Sequence, residues 1–355
     1  MNILIFPASF AEGTFIADQA IGRGDFVIGA ASVAVSEEER QHFSLWVELP
    51  FITDPAFEEA LAQLLYQHAI SAIHAPHPVV WTTLRALLPR RHPEITLLND
   101  SPAEQRLFPL RCAEQQRHSL PFQLPGLPPT LSVPAWLSTA LPLALHHLPG
   151  QSPAEKLALM AGLAYGGVAG DLVEIGSLWG RSAYALALAC IREGIGPVLC
   201  VDPWQSSAYQ QSDSHALLAA ASDSLDAEAS YRYFIANLAP FAGTRCNYLR
   251  GYSTEAAEIY RSQREIRSEC YGSTRYSGRI ALLHIDGNHD YAAVIADLAA
   301  WTPLLQPGGW LILDDYCWPF GDGPRRAADA WCRQHVELIE CAFCAFGSLW
   351  LLLKE

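Results

Sequence analysis

Residues 171–182 read Asp-Leu-Val-Glu-Ile-Gly-Ser-Leu-Trp-Gly-Arg-Ser, and residues 197–202 read Pro-Val-Leu-Cys-Val-Asp. An apolar strand signal ends at Glu174, Gly176 and Gly180 bracket a tight turn, and the Ala-rich apolar run from Ala183 to Ile191 reads as a helix. A second strand, Val198 to Val201, ends on Asp202, 22 residues after Gly180. Strand, glycine turn, helix and strand in this order make half of a nucleotide-binding βαβ unit, in which an acid after the second strand can accept both hydroxyls of a ribose. A nucleoside-containing ligand is the first expectation. Its rival is a glycine turn that serves only close packing of helix on strand.

The spacing of the glycines narrows the ligand. A dinucleotide fingerprint uses G-x-G-x-x-G so that backbone can approach a pyrophosphate. Here Ser177 stands in place of the middle glycine, and Glu174 is expected to aim a carboxylate at the turn. A carboxylate repels phosphate but suits a cation, and S-adenosylmethionine carries a sulfonium, an ammonium and a ribose without phosphate.

Two further strings follow the same logic. Residues 279–291 read Arg-Ile-Ala-Leu-Leu-His-Ile-Asp-Gly-Asn-His-Asp-Tyr, and residues 306–316 read Gln-Pro-Gly-Gly-Trp-Leu-Ile-Leu-Asp-Asp-Tyr. Each is a buried-type strand ending on carboxylates. In an open parallel sheet the C-terminal strand ends line one edge, so Glu174, Asp202, Asp286 and Asp314 are expected to face one crevice.

At these motifs the chain resembles the class I S-adenosylmethionine-dependent methyltransferases, in particular the subgroup of small-molecule and sugar O-methyltransferases and cephalosporin-hydroxylase-like proteins. The resemblance runs from about residue 150 to the C-terminus. It implies a Rossmann-like α/β sheet closed by a terminal antiparallel hairpin, with Val336–Ala342 and Ser348–Leu353 as its strands. It further implies cofactor contacts from Glu174, Gly176, Ser177, Gly180, Ser182, Asp202, Pro203, Trp204, Tyr252, Ser253 and Asp286. Metal-dependent sugar methyltransferases hold an ion at matching strand ends, which makes Asp286, Asp314 and Asp315 candidate ligands for Mg²⁺, a hard cation that takes carboxylate and substrate oxygens.

An alcohol is a poor nucleophile when neutral, so an O-methyltransferase gains from a base. His289, three residues after Asp286, is the candidate, with Asp286 beside it as a second catalytic group. The plainer alternatives are that these aspartates bond loop amides and that His289 and Asp290 cap a helix.

The remaining sequence sets the frame. At 355 residues two domains are expected. Residues 1–100 alternate strands (Asn2–Phe6, Phe26–Gly29) with helices (Ala11–Ile21, and Asp54–His68 with Asp54 as cap), which implies a smaller parallel α/β domain. "NILIFPA" and "DFVIGAAS" give it a resemblance to the Rossmann-like unit that precedes ATP-grasp domains. Residues 101–134 are Pro-rich and read as a linker, and residues 135–355 hold the methyltransferase-like domain. Residues 203–240, with Tyr209, Asp213 and His215, read as a lid or substrate loop, and residues 261–278 as an exposed loop.

A net charge of −14 without a Lys/Arg run argues against nucleic acid, and the apolar stretches are too short to cross a membrane. Met1–Phe6 reads as a strand and lacks the basic leader of a signal peptide. Nine scattered cysteines fit a reduced, cytoplasmic protein. Cys341-x-x-Cys344 is read as core, because residues three apart in a strand face opposite ways. The expected partner is a small-molecule acceptor, and a homodimer stays open. Two competing functions use the same residues: a metal-dependent hydrolase or hydroxylase, and a non-catalytic scaffold.

Overall fold

The computed structural model describes residues 1–124, 127, 132–212, 215 and 224–355. The chain divides into two units, Met1–Arg111 and Cys112–Glu355. In the first, strands β1 (Asn2–Ile5), β2 (Phe26–Ala31), β3 (Leu45–Glu48), β4 (Ala72–His74) and β5 (Thr96–Leu97) form a parallel sheet in the order β3-β2-β1-β4-β5. Helices Ala11–Gly22, Phe57–Gln67 and Pro78–Arg91 are its long crossovers. The helix expected from Asp54 begins instead at Phe57. The Asp54 carboxylate accepts from the Ala56 amide at 2.8 Å and closes a turn ahead of the helix.

The Pro-rich stretch is less uniform than its composition suggests. Pro102–Gln116 is helical and runs across the boundary between the units. Pro102 sits at its start, where no amide is needed, and Pro109 is carried inside it. Residues 125–126 and 128–131 of the expected linker lie outside the described residues, as do Asp213 and part of the expected lid.

The second unit is built on β6 (Gly170–Ile175), β7 (Ile195–Asp202), β8 (Cys246–Arg250), β9 (Glu265–Ser268), β10 (Gly272–Arg275), β11 (Ile280–Ile285), β12 (Leu305–Leu313), β13 (Ile339–Ala345) and β14 (Ser348–Leu353). Its seven-stranded sheet has the order β13-β14-β12-β11-β6-β7-β8. Strands β6, β7, β8, β11 and β12 are parallel, and β14 enters antiparallel between β12 and β13 as the hairpin expectation requires. The sheet reverses direction of growth at β6, with β7 on one side and β11 on the other, so the crevice at the ends of these strands is a topological switch point.

Burial on both faces explains the continuous apolar runs. One core holds Leu172, Ala183, Leu186, Cys200 and Trp204, and the other holds Val173, Ile175, Leu283, Trp301 and Leu313. At the far end of β6, opposite the crevice, Asp171 is buried. It accepts from the Tyr260 hydroxyl at 2.6 Å and from the amides of Ser277 and Gly278 at 3.1 and 2.9 Å.

The polar stretch 261–278 is largely exposed, as expected, but it is not a loop. It contains the hairpin β9–β10, held by Asn247, whose amide donates to Ile266 O, Gly272 O and Thr274 Oγ1. Cys341 and Cys344 face opposite ways on β13, as expected, but the pair is not core: at this sheet edge Cys341 is half-buried and Cys344 is exposed.

Candidate active site

A cavity of about 840 Å³ opens at the carboxyl ends of β6, β7, β11 and β12. Its charged lining is six aspartates against Lys156 and Arg181. The turn after β6 supplies one wall. Gly176 has φ +83°, and a side chain there would meet the backbone oxygen of Asp286 at 2.0 Å, so glycine is required for the β6 and β11 ends to approach. Gly180, at φ +82°, serves packing instead: a Cβ would meet Leu238 at 2.3 Å, and the residue does not line the cavity.

Asp202 is the keystone of that turn. One carboxylate oxygen accepts from the Ser177 and Leu178 amides at 3.1 and 2.9 Å, and the other accepts from the Trp204 amide at 2.7 Å. Burial pushes the carboxyl up to about 6, against the pull of those three donors toward the charged form. The amides that would cradle a phosphate in a nucleotide-binding loop are therefore already bonded to a carboxylate.

Gly176, Ser177, Ser182, Asp202, Pro203, Tyr252, Ser253, Asp286, His289, Asp314 and Asp315 all line the cavity. Glu174 does not face it. Its side chain is fully buried within the sheet, with Oε1 3.2 Å from His284 Nδ1 on the neighbouring strand β11. Trp204 departs as well. With φ +44° the backbone turns its indole into the core, 1% exposed, against Tyr231, Phe234 and Tyr248, while Nε1 donates to Leu178 O. Ser253 opens the helix Ser253–Ser262, and Trp301 Nε1 donates to its hydroxyl at 2.8 Å.

The segments after β11 and β12 bring a histidine and an aspartate together at the cavity. His289 Nε2 lies 3.0 Å from Asp315 Oδ2, near enough for charge attraction though not aligned for a hydrogen bond. Its Nδ1 is 3.3 Å from the Gln211 amide nitrogen, and its ring meets Trp318 edge-on at 4.5 Å. Asn288 donates to Ala208 O and Gln210 O, and Asp290 accepts from the Ser212 amide at 2.8 Å. These bonds fasten the start of the loop after β7 beside His289. Asp290 precedes the helix Tyr291–Trp301 but its side chain does not cap it.

The residue that sequence reasoning missed is Lys156. It lies in the helix Ala154–Gly166, is 1% exposed, and its ammonium is hydrogen-bonded to Asp314 Oδ2 and 3.8 Å from Asp286 Oδ2. The other Asp314 oxygen accepts from Ser348 Oγ at 2.6 Å. Burial opposes both charged forms, but the carboxylates outweigh it and raise Lys156 above an ordinary lysine. Asp314 is likewise held well below the ordinary carboxyl range, where Lys156 and His284 overcome burial. Asp286 moves the other way, pushed well up by burial and by Asp314 beside it. A single lysine heading the apolar run Leu157–Leu163 was the available signal.

The expected Mg²⁺ ligands do not act as one set. Potential ligand atoms within 4.8 Å of one another form two groups among the described residues, His284–Asp286–Asp314 and Asp286–His289–Asp315. Asp314 and Asp315 fall on different sides, and the Lys156 ammonium already sits on the first group.

Residues 173–316 match the family model described as a methyltransferase domain. That stretch of the C-terminal unit is a methyltransferase domain. Solved structures similar to the chain include the O-methyltransferase NovP, at 16% identity over 58% of this chain and 84% of that one, with a TM-score of 0.42. The O-methyltransferase TomG from Streptomyces achromogenes, solved with SAM, shares 14% identity over 64% of this chain and 92% of that one, with a TM-score of 0.38. CalS11, a TDP-rhamnose 3'-O-methyltransferase, shares 18% over 72% and 96%, with a TM-score of 0.36. Among curated proteins none matches the chain. No helix among the described residues of the methyltransferase domain or the first unit is long and apolar enough to cross a membrane.

Proposed function

We propose that the methyltransferase domain transfers a methyl group from S-adenosylmethionine to a hydroxyl of a small acceptor. The observation that carries this is the capture of the Ser177 and Leu178 amides by Asp202, which removes the donors a phosphate would need. A carboxylate so placed suits ribose hydroxyls, and the aspartate-rich lining suits a sulfonium and an ammonium.

When bound, S-adenosylmethionine supplies an electrophilic methyl group: the acceptor O–CH₃ bond forms as the S–CH₃ bond breaks, and the electron pair stays on sulfur. The chain positions the acceptor and takes its proton. His289 is the proton acceptor in this reading, at Nδ1, which the acceptor hydroxyl reaches by displacing the Gln211 amide. Asp315 offers the countercharge to the imidazolium that results. Trp318, Phe320 and Phe346 line the cavity on this side and favour an acceptor with an apolar face next to its hydroxyl. At Asp286 and Asp314, Mg²⁺ enters only as an alternative to Lys156, since both seek those carboxylates.

A small acceptor, and not nucleic acid, fits a chain of net charge −14, and nine cysteines held as thiols fit the cytoplasm. Calorimetric titration of S-adenosylmethionine into the full chain tests the reading. Binding in the micromolar range at one site per chain is expected, and absence of binding at millimolar cofactor overturns it.

A further inference from the structure

We infer that the Lys156 ammonium is the resident cation of the Asp286–Asp314 pair and stands there in place of a divalent metal, so that methyl transfer at this site proceeds without one. The inference deepens the methyltransferase reading and takes its reaction from it. Three observations carry it. The ammonium is hydrogen-bonded to Asp314 and lies 3.8 Å from Asp286, on both of the carboxylates that a shared metal ion would need. Both oxygens of Asp314 are engaged, one by Lys156 and one by Ser348 Oγ, so an incoming ion would have to displace built partners. Lys156 stands on a helix whose residues 156–164 are all buried and is itself 1% exposed, so its charge is held inside the site.

The electrostatics agree with the geometry. Two carboxylates at adjoining strand ends need a counter-cation if both are to be charged, and a metal or an ammonium can each supply it. Adding a divalent ion beside a fixed ammonium sets like charges against each other at about 4 Å, where repulsion in a partly buried site is strong. Asp286 belongs to both possible ligand groups, so the second group, with His289 and Asp315, feels the same ammonium. Lys156 is thus a positioning residue. It fixes the Asp286 and Asp314 carboxylates at the cavity wall and contributes no proton to the reaction.

The test uses Mn²⁺ as the probe, followed by paramagnetic resonance on the full chain, together with Lys156→Met and Lys156→Arg. The natural protein is expected to take up no Mn²⁺ at millimolar concentration and to bind S-adenosylmethionine equally well with and without a chelator. Lys156→Met uncovers the carboxylate pair and is expected to gain Mn²⁺ affinity by roughly a hundredfold or more, whereas Lys156→Arg remains metal-indifferent. Stoichiometric Mn²⁺ binding by the natural protein, abolished by Asp314→Asn, overturns the inference, and so does a folded Lys156→Met chain that gains no affinity. Should Lys156→Met not fold, the natural protein and Lys156→Arg decide alone: metal uptake by either refutes the inference, and indifference of both supports it. Failure of cofactor binding with these metal results intact would sink the methyltransferase reading and leave the resident cation standing.

Discussion

Replacing Asp202 with Asn separates what this residue costs the fold from what it gives the site. The carboxyl titrates at about 6 in the folded chain against an ordinary 3.8, chiefly because it is buried. A raised acid favours the native state while protonated, so its contribution is complete below pH 4 and is lost as pH rises through 6. Two pH units correspond to about 3 kcal/mol. Asn is close in shape to the protonated acid, and its carbonyl oxygen can serve the Ser177 and Leu178 amides together, but its amide nitrogen cannot accept from the Trp204 amide, which costs about 1–2 kcal/mol at any pH. Asp202→Asn should therefore fall about 1–2 kcal/mol below the natural chain near pH 4 and exceed it near pH 8 by about 1–2 kcal/mol, roughly 2–8 °C in Tm for a unit of this size. Cofactor affinity should move oppositely. With charge-assisted bonds to the ribose lost, S-adenosylmethionine binding at pH 8 should weaken by roughly ten- to a hundredfold. The natural chain alone should lose affinity as pH falls through 6. Thermal melts and calorimetry at several pH values read both effects. Parallel Tm–pH curves for the two proteins, or a variant less stable at pH 8, would refute the reasoning.

Two other substitutions probe His289 and the glycine turn. His289→Ala should lower the single-turnover methylation rate by about 10²–10⁴ while leaving the calorimetric affinity for S-adenosylmethionine within a factor of about two; an equal loss in both would make His289 a cofactor-binding group. Gly176→Ala places a Cβ 2.0 Å from the Asp286 carbonyl at a positive φ, so denaturant unfolding should show a loss of about 2–4 kcal/mol, and an unchanged midpoint would mean that the β6 and β11 ends yield freely.

The strands and the glycine turn were legible because their determinants are local. Leu172–Ile175 and Ile280–Ile285 are apolar but for the buried Glu174 and His284, since helices cover both faces, and the chain must turn at Gly176, where no side chain fits. What lay beyond the sequence depends on partners distant along the chain. The β9–β10 hairpin is polar and reads as loop, yet one buried amide, Asn247, holds its backbone from another strand. Trp204 neighbours Asp202, which suggested a place in the cleft, but a left-handed backbone at that residue sends the indole into the core. Glu174 ends an apolar run as a ligand-facing acid would, and only the pairing of β6 with β11 places His284 against it. Lys156 is the sharpest case. Its partner Asp314 is 158 residues away, and nothing in its helix announces the pair.

The same cavity sets two electrostatic effects against each other, and their sizes choose the cofactor class. The helix Arg181–Ala189 begins at Gly180 without a side-chain cap, so its N-terminus attracts an anion by about 0.3–1 kcal/mol. Against it stands Asp202, ionised above pH 6 and bonded to the amides of the turn before that helix. A phosphate held about 5 Å from this carboxylate would be repelled by roughly 3 kcal/mol at an effective dielectric constant near 20, before the other aspartates are counted. Repulsion therefore exceeds the helix term several-fold, and the sulfonium of S-adenosylmethionine turns the same field into attraction. Millimolar ATP or NAD⁺ should leave both the Tm and the calorimetric titration with S-adenosylmethionine unchanged at pH 8. Competition by either would mean that Asp202 yields its amides to phosphate, and would return the glycine turn to the dinucleotide-binding class.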